Sequence, residues 1–466
     1  MANKHMISET ERITLLATAA RIADMSGAAK SFYIETYGCQ MNNHDSERIA
    51  GILESCGLVM TADKNSASVI LFNTCCVREH AELKVFGNVG ALRARKEEHP
   101  KLIIGICGCM MQQEAVAKQL YRKYPFVDFI FGTHDMHRLP LILEEVLQGK
   151  RVFAVSGDDA DIAEGLPIHR LGSASTNVNI MYGCDNFCSY CIVPYVRGRE
   201  RSRSHERILA EIKHLVKSGY TEVTLLGQNV NSYRSPDGAV NFPELLSMVN
   251  DIDGLQRIRF MTSHPKDLSD ELIASMAQLS KVCRHIHLPV QSGSTEILAA
   301  MNRRYSREDY LELVHKLRAA MPDIEITTDI IVGFPGESER DFEATLSLVR
   351  EVCYASAYTF MYSKRSGTTA AQMPNQIPDD EKKRRLYALN ACVAETLEGA
   401  NEKYIGTTLN VLVEGCNAAR GNTVAYGKHF AYKTVLFPGD RDLIGKYVDV
   451  LIEGVTSNSL LGRRVE

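Results

Sequence analysis

The stretch Gly183-Cys184-Asp185-Asn186-Phe187-Cys188-Ser189-Tyr190-Cys191 sets three thiols within eight positions, spaced C-x3-C-x2-C. An apolar run at 178–182 precedes it, so the thiols fall on one loop after a predicted strand. Three thiolates on such a loop can hold three corners of an iron–sulfur cube and leave the fourth iron without a local cysteine. An open coordination position is what a metal needs for chemistry, as at catalytic zinc sites. A structural zinc asks instead for four ligands, usually in paired C-x2-C knuckles, and no second pair is present. Gly183, just before the first thiol, suits a tight turn.

The run at 178–182 opens an alternating series. Further predicted strands lie near 222–227, 257–261, 284–288, 325–332 and 356–361, and predicted helices near 205–218, 242–251, 268–278, 295–319, 338–350 and 380–402. Six βα units fit a partial (βα)6 barrel of the TIM type better than a closed eightfold one, with the active face at the strand C-termini. Before this series lies another. Apolar runs at 32–36, 68–72, 102–106, 127–131 and 152–155 alternate with helical stretches at 43–56, 77–98 and 134–148. That pattern predicts a parallel, Rossmann-like α/β domain. Cys39, Cys75 and Cys109 each follow one of its strands. Parallel sheets bind ligands beyond their strand C-termini, so these three thiols can meet at one point.

After residue 403, short β-runs separated by Gly, Asn and Asp predict a small β-barrel. The polar stretch 156–176 reads as a linker. The expected division is an N-terminal extension at 1–30 (a peripheral helix), an α/β domain at 31–155, the linker, a barrel domain at 177–402 and a small barrel at 403–466.

Composition narrows the function classes. No apolar run reaches the roughly 18 residues of a membrane span, and the N-terminus lacks a secretory apolar core. A cytoplasmic protein is expected. The 13 cysteines, an odd number, suit metal binding in a reducing compartment better than a disulfide framework. A net charge of −4 means that any nucleic acid must be held by local patches.

The C-x3-C-x2-C loop after the first strand of a βα series resembles that of the radical S-adenosylmethionine (SAM) superfamily. The resemblance implies that Cys184, Cys188 and Cys191 hold a 4Fe–4S cluster whose fourth iron binds SAM, and that one electron cleaves SAM to a 5′-deoxyadenosyl radical. It places Tyr190 on the adenine and assigns SAM contacts to Gly227 and Gln228 after the second strand. Gln291 after the fourth strand, and Asp329 and Gly333 in Asp329-Ile330-Ile331-Val332-Gly333-Phe334-Pro335-Gly336-Glu337, complete that set.

Tyr37-Gly38-Cys39-Gln40-Met41-Asn42, Asn73-Thr74-Cys75-Cys76-Val77-Arg78-Glu79 and Gly108-Cys109-Met110 resemble the N-terminal domain of the methylthiotransferases. There three cysteines bind a second 4Fe–4S cluster, here Cys39, Cys75 and Cys109. The C-terminal region resembles the TRAM RNA-binding module. NTCCVREHAELKV and CSYCIVPY look most like the branch acting on isopentenylated adenosine in tRNA. The implied reaction replaces the carbon-2 hydrogen of N6-isopentenyladenosine, at position 37 beside the anticodon, by a methylthio group. An unactivated aromatic C–H explains the need for a radical. Threonylcarbamoyladenosine in tRNA or a ribosomal-protein aspartate are alternative substrates within the family. A non-catalytic two-cluster electron carrier that binds RNA is the alternative outside it. The implied partners are the tRNA anticodon loop and an electron donor such as flavodoxin or ferredoxin, with no membrane, and the chain is expected to be a monomer.

Cys76 and Cys107 neighbour the favoured ligands and read as buried thiols. Arg197, Arg199, Arg201 and Arg203 crowd the segment after the cysteine loop and are the candidate phosphate contacts; a solvated basic face is the alternative. Lys382-Lys383-Arg384-Arg385 reads as a solvated helix face at least as readily. Phe430, Tyr432 and Phe437 can stack bases or fill the small barrel's core. His285 and His287, on one strand face, are expected inside the larger barrel.

Overall fold

A computed structural model of the chain describes residues 7–25, 30–76, 79–157, 164–172, 174–419 and 422–465. Val77 and Arg78 of the asparagine–threonine–cysteine motif, and 158–163 and 173 of the expected linker, lie outside the described residues. The chain forms two compact units. The first takes residues 1–171 with 182–185 and 192–201, and the second takes the remainder. Cys184 thus belongs to the first, and Cys188 and Cys191 to the second.

In the first unit, Val69–Thr74 (VILFNT) is buried along its whole length, as a strand covered on both faces must be. It lies inside a parallel sheet ordered Val59–Met60, Ser31–Thr36, Val69–Thr74, Ile103–Gly108, Phe129–Phe131, Val152–Ala154. The two-residue pleat sends Val69 and Leu71 into one core with Phe32, Ile49 and Phe129, and Ile70 and Phe72 into another with Ile104, Ile106 and Val85. The helix Glu9–Met25 is not peripheral, because Ala19 and Ile22 are buried in the first of these cores. The expected helix at 77–98 divides into Glu79–Gly90 and Arg93–Glu98. A further helix, Glu114–Lys123, was not expected; it buries Ala117 and Leu120 and packs Val116 and Tyr121 against the same core.

In the second unit, two parallel three-stranded sheets carry the strands of the βα series. They are Ser175–Asn179, Glu222–Leu226 and Arg257–Phe260, then His285–His287, Glu325–Val332 and Ser356–Met361. A parallel bridge between Ile258 and Val282 joins them, giving six strands in chain order and a partial barrel. The first strand starts at Ser175, inside the stretch expected as linker. The expected helix at 295–319 is broken into Thr295–Ala300 and Arg307–Ala320. Asn302 and Arg304 in the break take left-handed backbone, and Ser306 with Asp309 forms the capping box that starts the second helix.

Residues 408–464 form a closed five-stranded barrel around Val411, Val413, Val435, Phe437, Val450 and Ile452. It docks on the partial barrel through the first residues of four successive strands. Arg257 donates to the carbonyls of Lys428 and Asn410, and Arg259 to those of His429 and Phe430. Glu222 pairs with Arg259 at 3.1 Å. His285 stacks on Tyr432 at 4.6 Å, and Glu325 meets Tyr404 and Lys403. Phe437 is therefore core and Tyr432 a docking residue, which removes both from base stacking. No helix of the described residues is long and apolar enough to cross a membrane.

Candidate active site

The ends of three adjacent strands are tied together around Asn42. Its amide donates to the carbonyls of Tyr37 and Thr74, each at 2.8 Å, and its backbone carbonyl accepts from Asn73. Gly38, at φ 115°, lets the end of the first strand pass Cys75: a Cβ there would lie 2.6 Å from the Cys75 Cβ. Gly108 does the same against Thr74, where a Cβ would lie 2.4 Å from the carbonyl oxygen. Cys39 follows Gly38 at the head of the helix Gln40–Ser55. Cys109 Sγ lies 3.5 Å from the Asn42 side-chain oxygen.

Cys107 points the other way, into the core with Phe129 and Phe131, and burial pushes its thiol well up. Cys76 packs against Cys109, Ile192 and Val196. Its thiol hydrogen-bonds Cys109, which brings the Cys109 thiol down to about 7 with help from Arg197 and against burial. Cys76 itself is pushed up by that bond and by burial.

Arg197 departs from its expected role. It is 6% exposed. Its Nε donates to Cys109 Sγ at 3.2 Å, and its Nη2 meets Asn42 Oδ1 at 2.9 Å and Asp45 Oδ2 at 2.7 Å. A guanidinium so enclosed cannot also grip a phosphate. Arg203 is likewise internal, bound to the Asn179 carbonyl and to Glu211. Arg201 is half-buried and donates to the Arg197 carbonyl. Arg199 is exposed and pairs with Asp185 at 2.7 Å, a hydrogen bond that lowers the Asp185 carboxyl. Of the four, only Arg199 presents its side chain to solvent.

The 183–191 loop is shaped by its backbone. Gly183, at φ 76°, leaves no room for a Cβ, which would sit 2.1 Å from the Arg199 carbonyl oxygen. Cys184 donates its N–H to the Gly198 carbonyl at 3.3 Å. Cys191 N–H donates to the Cys188 carbonyl at 2.9 Å, closing a tight turn. The break between the helices Thr295–Ala300 and Arg307–Ala320 holds this turn. Asn302 donates to the carbonyls of Asn186 and Phe187, and Ser189 to that of Ala300. Arg303 is buried, with Nη1 at 3.4 Å from Cys188 Sγ, Nη2 on the Pro289 carbonyl and Nε on Tyr305 Oη. Sequence reading missed Arg303, because a continuous helix gave it no special place.

The residues expected to contact SAM fall at the C-terminal ends of the partial barrel's strands. Tyr190 packs against Ile297, Met301, Phe334 and Tyr362. Gly227 admits no Cβ, which would lie 2.5 Å from Met181. Gln291 takes a left-handed φ of 72° and bridges to Ile330. Asp329 lies 3.5 Å from His287, which shares the Thr327 hydroxyl with His285 inside the barrel. Gly333 donates its N–H to Glu337 at 2.6 Å, and Arg385 holds Glu337 at 2.7 Å. The Lys382–Arg385 segment is therefore divided: Lys382 and Arg385 are buried, and Lys383 and Arg384 face solvent.

Buried polar atoms without a protein partner cluster at this same end. They include the Asn179 amide, Gln228 Oε1, the Asn231 amide, Ser263 Oγ, His264 Nε2 and Tyr362 Oη. Each follows or ends a barrel strand. Orphaned buried donors and acceptors are costly unless something polar meets them, so this end suits a ligand as polar as SAM. The thiols suit iron: Arg197 helps lower the Cys109 thiol, and Arg303 places a cation beside Cys188 Sγ.

A profile of the radical SAM superfamily matches residues 178–349, one of the uncharacterized protein family UPF0004 matches residues 31–132, and one of the TRAM domain matches residues 402–465. A protein of Clostridium tetani named tRNA-2-methylthio-N(6)-dimethylallyladenosine synthase is 54% identical over 93% of this chain and 96% of its own length. A Caldicellulosiruptor saccharolyticus protein of the same name is 53% identical over 94% of this chain and 93% of its own. The chain belongs to the radical SAM methylthiotransferase family. Among solved structures, the radical SAM methyltransferase TsrM of Kitasatospora setae, with cobalamin and a 4Fe–4S cluster bound, aligns at TM-score 0.54 and 15% identity, covering 74% of this chain and 77% of that one. That likeness bears on fold alone. Membership in the radical SAM methylthiotransferases implies a 4Fe–4S cluster and SAM.

Proposed function

We propose that this chain methylthiolates carbon 2 of N6-isopentenyladenosine at position 37 of tRNA. The observation that carries this reading is near-full-length identity above 50% to proteins named for that product. The division of labour we propose has residues 31–155 holding a second 4Fe–4S cluster through Cys39, Cys75 and Cys109. Residues 177–402 hold the first cluster through Cys184, Cys188 and Cys191 together with SAM, and residues 403–466 bind RNA.

Bound together, the first cluster and SAM supply a one-electron route to a carbon radical able to abstract an unactivated hydrogen. The protein's own residues prepare for this. Arg303 sets an N–H 3.4 Å from Cys188 Sγ, and Asn302 and Ser189 fix the loop that carries it. Glu337, clamped by Arg385, holds the backbone at Gly333 against the region assigned to the adenine. Asn179, Gln228, Asn231, Ser263 and His264 offer unspent hydrogen bonds to SAM or to the entering base. Burial, with Arg303, Lys266 and Arg304 nearby, drives the His264 pKa down to about 2, so its imidazole is neutral at any working pH. Its Nδ1 accepts from the Lys266 N–H, which leaves the proton on Nε2 as a donor. Bases of an anticodon loop can be splayed out for such a site. We further propose that the chain works as a cytoplasmic monomer fed by a flavodoxin- or ferredoxin-type donor.

Mass spectrometry of tRNA nucleosides from a deletion strain tests the reading. Loss of 2-methylthio-N6-isopentenyladenosine with build-up of N6-isopentenyladenosine is expected. An unchanged nucleoside profile overturns the proposal.

A further inference from the structure

Arg197 is a buried arginine whose fork is divided. A guanidinium kept only to balance a buried aspartate would grip both carboxylate oxygens with two parallel N–H bonds. Here Nη2 lies 2.7 Å from Asp45 Oδ2 and also donates to Asn42 at 2.9 Å. Nε goes to the sulfur of Cys109, at 3.2 Å. Neither oxygen of Asp45 has a hydrogen-bond partner among the described residues, so Arg197 meets it as an ion pair only. The geometry therefore spends a strong donor on a sulfur while a nearby carboxylate oxygen goes unmet.

We infer that Arg197 is the positioning residue of the second cluster, aiming one N–H at the Cys109 ligand sulfur and, with Asp45 as its counter-charge, setting that cluster's reduction potential. This rests on the reading that Cys39, Cys75 and Cys109 hold such a cluster. Hydrogen bonds to cluster sulfurs and nearby net charge are the levers by which a protein tunes an iron–sulfur centre. An N–H and a positive charge stabilise the more negative, reduced cluster, so Arg197 raises the potential. Asp45 opposes it. Asn42, tied to two strand ends and to Cys109, fixes the distance between guanidinium and sulfur.

The two charges make opposite predictions, which a purely packing role does not. The test uses the full chain with Cys184, Cys188 and Cys191 all replaced by Ala, reconstituted anaerobically, so that only the second cluster is observed. Redox titration followed by electron paramagnetic resonance gives its midpoint. Arg197→Gln is expected to move the midpoint negative, enough that at a fixed poise the reduced-to-oxidised ratio falls about tenfold, or ~59 mV for one electron. Arg197→Lys keeps the charge but not the fork and is expected between Gln and the parent. Asp45→Asn is expected to move the midpoint positive. It also keeps the proposal testable should Arg197→Gln fail to assemble a cluster. Parent-like midpoints in the Asp45 variant, or in an Arg197 variant with full iron, overturn the inference alone. A parent protein that takes up no iron or sulfide brings down the second-cluster reading and this inference with it.

Discussion

Two cysteines proposed as cluster ligands each face a buried arginine, and the two arginines are held differently. Arg303 approaches Cys188 at 3.4 Å, and its other partners, Tyr305 Oη and the Pro289 carbonyl, are neutral. Arg197 approaches Cys109 at 3.2 Å but is paired with Asp45. The first sulfur therefore feels a nearly whole positive charge and the second a partly cancelled one. The cluster proposed to bind SAM and deliver an electron is given the stronger field. A cluster proposed to serve sulfur insertion is given a balanced one.

The comparison breaks most sharply at the ligands themselves. Replacing Cys188 by Ala is expected to abolish 5′-deoxyadenosine formation by reduced protein while leaving iron at the N-terminal site. Replacing Cys39 is expected to stop methylthiolation while SAM cleavage persists. Chromatography of the two products checks both, and the reverse pattern would exchange the roles of the two sites. Arg303→Gln comes next. Outer partners of metal ligands typically matter by roughly 10–100-fold, and a loss of that size in SAM cleavage rate is expected. A loss no greater than that caused by Arg197→Gln in the same assay would erase the distinction between the two arginines.

The opposite end of the partial barrel supplies a third test. There Arg259 stands between Glu222 and two carbonyls of the small barrel. Removing one member of a buried ion pair costs about 3–5 kcal/mol. Arg259→Met is expected to loosen the small barrel, seen as faster proteolysis near residue 403, without touching either cysteine site. The smallest effect concerns pH. His264 is held to about 2 and His429 to about 3, both chiefly by burial, against an ordinary value of 6.5. Above 6.5 both imidazoles are neutral whether folded or unfolded and contribute no pH dependence. Below it the unfolded chain takes up protons that the folded one refuses, so stability falls as pH drops from 6.5 toward those values. His429→Asn should flatten part of that slope in urea midpoints measured between pH 7 and 5.

The strand at 69–74 was legible because a buried parallel strand reads as a continuous apolar run, here VILF. The six cysteines proposed as ligands stand out in the sequence through their spacing and strand-end placement. The helix Glu114–Lys123 was overlooked although Val116, Ala117, Leu120 and Tyr121 give it an apolar stripe, because the stripe is short and flanked by charged residues. Nor was the break after Ala300 read, although Asn302 and the Ser306–Asp309 capping box signal it in the sequence; only the folded turn sets Arg303 on Cys188. Arg197 was visible as charge but misread, because sequence shows an arginine's sign and not its burial. The docking residues Glu222, Arg257 and Glu325 begin strands, where a charge looks like an exposed edge; only the folded chain shows a second barrel covering them.

Iron and acid-labile sulfide per chain, measured on anaerobically purified protein and on two triple variants, test the account most directly. The variants replace Cys39, Cys75 and Cys109, or Cys184, Cys188 and Cys191, by Ala. Two 4Fe–4S clusters predict about eight irons in the parent and about four in each variant. A parent with only four, all lost in one variant and none in the other, or one carrying zinc, would contradict it.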